Sequence, residues 1–227
     1  MINDLLNYNL KIYQNDNYFK FSIDSVLLAE FVEINYRDKN ILDLCTGNAP
    51  IPMIISTRFN KNIVGVEIQK EIYELGVKSI KLNNINNIDL INKDVNDLNN
   101  YFDYKFDIVT CNPPYFKYNK NSITNKNNIK TIARHEVLIN LEQIINISSK
   151  LLRDSGKLYL VHRCDRFIEI LDLLKKYNFG LKKLQFVYDN TNSESCFLII
   201  EAKYKCKDDV KILKPFYIDK YLEVKWN

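Results

Sequence analysis

The four residues Asn112-Pro113-Pro114-Tyr115 follow a short strand-like run that ends at Cys111. Two consecutive prolines remove two backbone donors and stiffen the turn. What remains is a pair of acceptors, the Asn112 side-chain oxygen and the Pro113 carbonyl, beside an aromatic ring. Such a set suits a planar amine, whose N–H groups are accepted while Tyr115 covers its face. Three further pieces stand at the ends of other strand-like runs. In Asp43-Leu44-Cys45-Thr46-Gly47-Asn48-Ala49 a glycine turn lets backbone amides approach a ligand. Glu67 is an acceptor placed for the two hydroxyl donors of a ribose diol. Asp94 is a carboxylate that can accept from an adenine amine.

These residues need a scaffold that delivers all four strand ends to one edge. The chain supplies it by alternation. Strands are expected over 40–45, 62–68, 88–92, 106–111 and 157–161. Helices are expected over 51–59, 70–83, 138–152 and 167–177. The helix 70–83 should bury Ile72, Leu75, Ser79 and Leu82. Asp154-Ser155-Gly156 should close the helix before it, and Gly180 should stop the one over 167–177. Short strands alternating with helices predict an α/β fold, a parallel sheet covered on both faces. Two last strands, 184–188 and 196–202, are joined by a polar turn at 189–194 too short for a crossover helix, so they should be antiparallel. Ser22 or Asp24 can cap a helix that starts just after Phe21. The polar stretch 116–130 has the length and composition of a functional loop.

Bulk properties leave this reading open and close others. The chain has 227 residues, 46% hydrophobic and 26% charged, which is ordinary globular composition. Its 32 basic and 28 acidic residues give a net charge of +4, which permits a phosphate-bearing partner. The cysteines Cys45, Cys111, Cys164, Cys196 and Cys206 form no C-x-x-C cluster, so no metal site is expected and a reducing compartment is. No apolar run is long enough to span a membrane and no signal peptide opens the chain, so a cytoplasmic location is expected. No G-x-G-x-x-G is present, which disfavours a nicotinamide dehydrogenase.

Asp43 to Ala49, Glu67 and Asn112-Pro113-Pro114-Tyr115 resemble the motifs of class I S-adenosylmethionine-dependent methyltransferases that modify amino groups. The blocks Phe21 to Ala29, Ile41 to Leu44, Gly65 to Gln69, Thr110 to Phe116, Ala133 to Glu136 and Val161 to Arg163 are similar to those of the bacterial tRNA1(Val) adenine-37 N6-methyltransferases. The resemblance runs from about Gln14 to Tyr217. It implies a Rossmann-like, seven-stranded, mostly parallel sheet whose last strand is antiparallel. It also implies one catalytic domain: an N-terminal segment 1–37 at the cofactor site, a core 38–205 and an extension 206–227. The family's glycine-rich turn departs here at Cys45 and Ala49, where a Cβ limits how closely the backbone meets a ligand.

The resemblance further implies S-adenosylmethionine as donor, S-adenosylhomocysteine as product, no metal, and tRNA as partner of a monomer. Cofactor contacts carry over to Asp24, Ser25, Asp43, Thr46, Gly47, Asn48, Glu67, Ile68, Gln69, Asp94, Val95 and Asn112. Asn112, Pro113, Pro114 and Tyr115 become the catalytic set. Phe116, Lys117, Lys120, Arg134 and His135 become RNA contacts, the cations holding phosphates. His162 is expected to be structural. The mechanism needs positioning more than a base, because the amine becomes acidic only as it gains the methyl group. Rival readings are an adenine methyltransferase acting on other RNA or DNA, a protein glutamine methyltransferase, whose target amide is also planar, and an RNA-binding domain that has lost its cofactor.

Overall fold

The structure is a computed structural model and describes residues 1–5, 8–15, 22–115 and 139–226. Two three-residue strands, β1 (Ile2–Asp4) and β2 (Lys11–Tyr13), pair as an antiparallel hairpin. Then come α1 (Ile23–Phe31), β3 (Asn40–Leu44), α2 (Pro50–Arg58), β4 (Asn62–Glu67), α3 (Lys70–Leu82), β5 (Ile88–Asn92) and β6 (Phe106–Cys111). After residue 138 follow α4 (Leu141–Leu151), β7 (Leu152–Arg163), α5 (Phe167–Lys176), β8 (Phe179–Tyr188) and β9 (Ser195–Tyr204). Two-residue strands β10 (Lys211–Ile212) and β11 (Phe216–Tyr217) and the helix α6 (Ile218–Trp226) complete the order.

The main sheet runs β8-β9-β7-β6-β3-β4-β5, with β10 and β11 added in parallel at the β8 edge. Among the seven longer strands only β9 runs against its neighbours. The seven-stranded, mostly parallel expectation therefore describes the body of the sheet, and the edge additions make nine. The order reverses at β3, with β4 and β5 on one side and β6 and β7 on the other. A crevice opens at such a switch, beyond the carboxyl ends of the strands.

Side chains alternate across the sheet, as the two-residue period of a strand requires. Leu42, Leu44 and Val109 face a core with α4 and α5, while Ile41, Ile63 and Ile108 face one with α1 and α2. Each such fully buried aliphatic side chain stabilises the fold by about 1.5–3 kcal/mol. No helix among the described residues is long and apolar enough to cross a membrane.

Several expected boundaries move. Helix α4 starts at Leu141, because Asn140 and Gln143 form a reciprocal capping box, each side chain accepting the other's backbone N–H at 2.9 Å. Asp154-Ser155-Gly156 does not close that helix. It lies in β7 as a kink with Ser155 at φ 62°, where the register against β6 slips between Phe106 and Ile108. Gly180 does not stop a helix either. It belongs to β8, and a Cβ there would clash with the Lys207 carbonyl oxygen. The turn after α5 is made by Asn178 at φ 61°. On α3 the buried face is Ile72, Gly76, Ser79 and Ile80, and Leu82 is 39% exposed at the helix end.

Candidate active site

The crevice between β3, β4 and β6 is lined by most of the residues that the motifs single out. The β3–α2 turn carries three left-handed residues, Cys45, Gly47 and Ala49, at φ 55°, 60° and 69°. Glycine takes that conformation without cost, whereas a residue with a Cβ is strained by roughly 1–2 kcal/mol. The positions where glycine is absent are thus held left-handed all the same. Ala49 is fully buried, while Cys45 is half-buried at the cavity wall. Pro50 then opens α2, where its missing N–H costs nothing.

Glu67 is the centre of the donor half. Its Oε2 accepts the Gly47 N–H and its Oε1 the Gln69 N–H, both at 2.9 Å. Each carboxylate oxygen retains a lone pair for a ligand hydroxyl. Burial raises the Glu67 pKa above its ordinary value, and these backbone donors hold it down in part. Gln69 lines the same cavity, and its buried Oε1 has no partner among the described residues, an acceptor awaiting a donor. Asp94 accepts from the Asn96 backbone and side chain through Oδ1, at 2.8 and 2.9 Å, which leaves Oδ2 for a ligand. Asn48 reaches back to the hairpin, its Nδ2 donating to the Tyr13 carbonyl at 2.9 Å. Thr46, Ile68 and Val95 complete the predicted lining. The sequence reading missed Ile51, Val66, Ile72 and Ile139, which form apolar wall with Cys45. Their one sequence signal is adjacency to the polar strand ends. The acceptors and apolar flanks fit a nucleoside with a free ribose diol and an amino group.

Asp43 does not reach the cavity. It is fully buried beneath the turn, where its oxygens accept from Thr46 Oγ1 at 2.6 Å and Thr110 Oγ1 at 2.5 Å. Burial pushes it up to about 7; the two hydroxyls lower it and the Glu67 charge raises it further. Its place is to tie the β3 turn to β6.

The acceptor half is built from β6 and α1. Asn112 and Pro114 line the crevice, with Pro113 buried behind them and Tyr115 half-buried at the end of the motif. Asn112 Nδ2 donates to Ser25 Oγ at 2.8 Å, so its amide oxygen is the end left to accept. Ser25 also lines the crevice, whereas Asp24 does not. Asp24 instead accepts the Tyr115 hydroxyl at 2.5 Å. Burial, with the Asp24 charge beside it, raises the Tyr115 hydroxyl far above its ordinary value, so it stays a donor. His162 is fully buried, and its ring lies 5.3 Å from that of Tyr115. Burial, with help from Arg166, lowers His162 to about 4, so it is neutral. Phe116, Lys117, Lys120, Arg134 and His135 lie outside the described residues.

The methyltransferase small domain family model matches residues 19–185. A protein of Phocaeicola vulgatus called tRNA1(Val) (adenine(37)-N6)-methyltransferase is 23% identical over 218 residues, covering 93% of this chain and 91% of the relative. One of the same name from Cytophaga hutchinsonii is 23% identical over 182 residues, covering 79% and 74%. A release factor glutamine methyltransferase of Buchnera aphidicola is 28% identical over 168 residues, covering 69% of this chain and 58% of the relative. Among solved structures, a predicted O-methyltransferase from Agrobacterium tumefaciens superposes with a TM-score of 0.67 at 20% identity, covering 86% of each chain. That likeness extends over the Rossmann-like sheet order described above. With a match that spans the β3 turn, Glu67 and the Asn-Pro-Pro-Tyr segment alike, the chain belongs to the methyltransferase small domain family.

Proposed function

We propose that this methyltransferase transfers a methyl group from S-adenosylmethionine to N6 of adenosine 37 in the anticodon loop of tRNA1(Val). The bound donor would supply an electrophilic methyl carbon on a sulfonium sulfur. Glu67 would hold its ribose hydroxyls, Asp94 its adenine amine, and Gly47 and Asn48 would line its approach. The residues of the chain do the rest. Asn112 Oδ1 and the Pro113 carbonyl accept from the target amine and pull it toward a tetrahedral shape. The nitrogen lone pair then points away from the ring, toward the donor half. Tyr115 covers the base, which must leave its stack to reach the site. Alignment of the two reactants supplies most of the acceleration.

One observation carries this reading: the Asn112 carboxamide is anchored by its nitrogen on Ser25, so an acceptor faces the crevice next to the donor half. The names of the relatives favour tRNA, and the cytoplasm is where it would be met. Phe116, Lys117, Lys120, Arg134 and His135 stay the proposed RNA contacts. The glutamine reading has its own support, since a glutamine amide fits the same acceptors and a relative carries that name. The test is incubation with labelled donor and either tRNA lacking this modification or release factor. Label recovered as N6-methyladenosine at position 37 supports the proposal. Label in protein alone, or at another nucleoside, overturns it.

A further inference from the structure

The first turn of α1 is expected to serve the cofactor, yet its contacts run elsewhere. Asp24 is 6% exposed and does not line the crevice. Its carboxylate accepts from Ser22 Oγ, from the Ser25 N–H at 2.7 Å and from the Tyr115 hydroxyl at 2.5 Å. It sits in the first turn of α1, where the helix dipole favours a negative charge. Among the described residues the carboxylate thus has three donors, one of them from outside its own turn.

That donor belongs to the aromatic ring of the acceptor motif. The other end of Tyr115 is backed by His162, which is fully buried, with its ring tilted 52° to that of Tyr115. The His162 Nδ1 accepts the Arg163 N–H at 2.9 Å, which fixes the imidazole orientation. A tyrosine held at its hydroxyl and along its ring has lost its side-chain freedom before any substrate arrives. Ordering a free side chain on binding costs about 0.5–1.5 kcal/mol, so a ring fixed in advance favours stacking. Ser25, the next residue on the same turn, fixes the Asn112 amide at 2.8 Å.

We propose that Asp24 is a positioning residue of the acceptor half: it holds Tyr115 by its hydroxyl, while its neighbour Ser25 sets the Asn112 amide, so that one helical turn presets both groups that meet the target. Cofactor contact is not its role. The inference rests on the proposed function only for the identity of the group that stacks on Tyr115.

The test uses the full chain and the variants Asp24→Ala, Asp24→Asn, Tyr115→Phe and the double variant Asp24→Asn/Tyr115→Phe. Calorimetry with S-adenosylhomocysteine should give affinities within about twofold of the parent for all four. Methyl transfer at saturating donor should fall roughly tenfold or more in Asp24→Ala and Tyr115→Phe, since a hydrogen bond to a charged group is lost. The double variant should be no slower than its slower single. The amide of Asp24→Asn still accepts from the tyrosine and should recover part of the loss. A readout independent of any acceptor is NMR with ring-labelled tyrosine. The signal absent in Tyr115→Phe identifies Tyr115, and it should shift in Asp24→Asn. If the parent transfers nothing to tRNA, the proposed function fails, while the NMR and calorimetry arms still decide this inference. A tenfold weaker cofactor affinity in Asp24→Asn overturns it. So does an unmoved Tyr115 signal, or multiplicative losses in the double variant.

Discussion

The two ends of the sheet use the same residue types and do opposite things with them. At the amino ends of the strands, Asp38 accepts from Lys157 Nζ at 2.9 Å, from the Asn35 N–H at 2.8 Å and from Arg153. Asp107 accepts from the Lys39 and Asn40 N–H groups at 2.7 and 2.9 Å, and also from Arg153. Lys157 Nζ is shared with the Glu33 carbonyl at 2.6 Å. Both oxygens of Asp38 and both of Asp107 accept from a donor. At the carboxyl ends, Glu67, Gln69, Asp94 and Asn112 each keep an acceptor in reserve. A buried polar group left unpaired costs about 1–3 kcal/mol, and Gln69 Oε1, which has no partner among the described residues, is such a group in the cavity wall. Saturation marks the end that holds the fold, and deficit marks the end that works.

Breaking the saturated end should have the largest effect, and on stability alone. Lys157 and Asp38 are 5% and 2% exposed. Lys157→Ala leaves Asp38 without its buried cationic partner, and losing one member of a buried pair costs about 3–5 kcal/mol. Denaturant unfolding should show this, while cofactor affinity, measured where the variant is folded, stays at the parental value. A matching loss of affinity would mean that the two ends are not independent.

Asn112→Ala should do the reverse at the deficient end. It removes an acceptor that meets the target amine, an effect of the order of 10²–10³ in rate for a preorganised group. Cofactor affinity should hardly change, because the Asn112 amide is held by the buried Ser25 hydroxyl and not by the Glu67 and Asp94 acceptors. Near-normal methyl transfer by this variant would remove Asn112 from catalysis.

Glu67→Ala should weaken cofactor binding by roughly 1–3 kcal/mol, the usual worth of a charged hydrogen-bond partner. Its titration gives a sharper version. Burial raises Glu67 above 4.5 and Asp43 from 3.8 to about 7. As pH falls through that window the folded state takes up protons before the unfolded chain does, so these two groups make the unliganded protein more stable. Protonation of Glu67 takes a charged acceptor from the ribose, so cofactor affinity falls as pH falls through its raised pKa. Opposite slopes of unfolding free energy and cofactor affinity on acidification are the expected pair. Parallel slopes would count against Glu67 as the ribose ligand.

The contrast also explains what could be read from the sequence. A glycine turn and a double proline made Gly47 and Asn112 legible, and a place at the end of a strand-like run did so for Glu67 and Asp94. Lys157 and Asp38 carry no such mark, since their pairing joins residues far apart along the chain. Local sequence marked Asp24 as a helix-cap candidate and the resemblance placed it with the cofactor residues; its bond to Tyr115 is long-range and had no sequence signal. The hairpin β1–β2 escaped notice because its strands are three residues long and are held by α3, through Asn83 and Ser79, both at 2.9 Å.

The smallest expected effects separate the two unusual residues of the β3 turn. Ala49 and Cys45 both stand at left-handed φ, where a Cβ is strained. Ala49→Gly relieves that strain by about 1–2 kcal/mol. It also gives up a buried methyl worth about 0.8 kcal/mol and adds about 0.4–1 kcal/mol of unfolded-state entropy. The terms nearly cancel, so unfolding should move by less than about 1 kcal/mol. Since Ala49 is fully buried and away from the lining, cofactor affinity should not move at all. Cys45→Gly shares the strain relief, but Cys45 lines the cavity. Removing its Cβ and thiol lets the backbone of the turn meet the ligand more closely. Calorimetry should therefore show tighter cofactor binding in Cys45→Gly and none of that gain in Ala49→Gly. Equal responses of the two variants would show that conformation of the turn, and not access to its backbone, governs binding there.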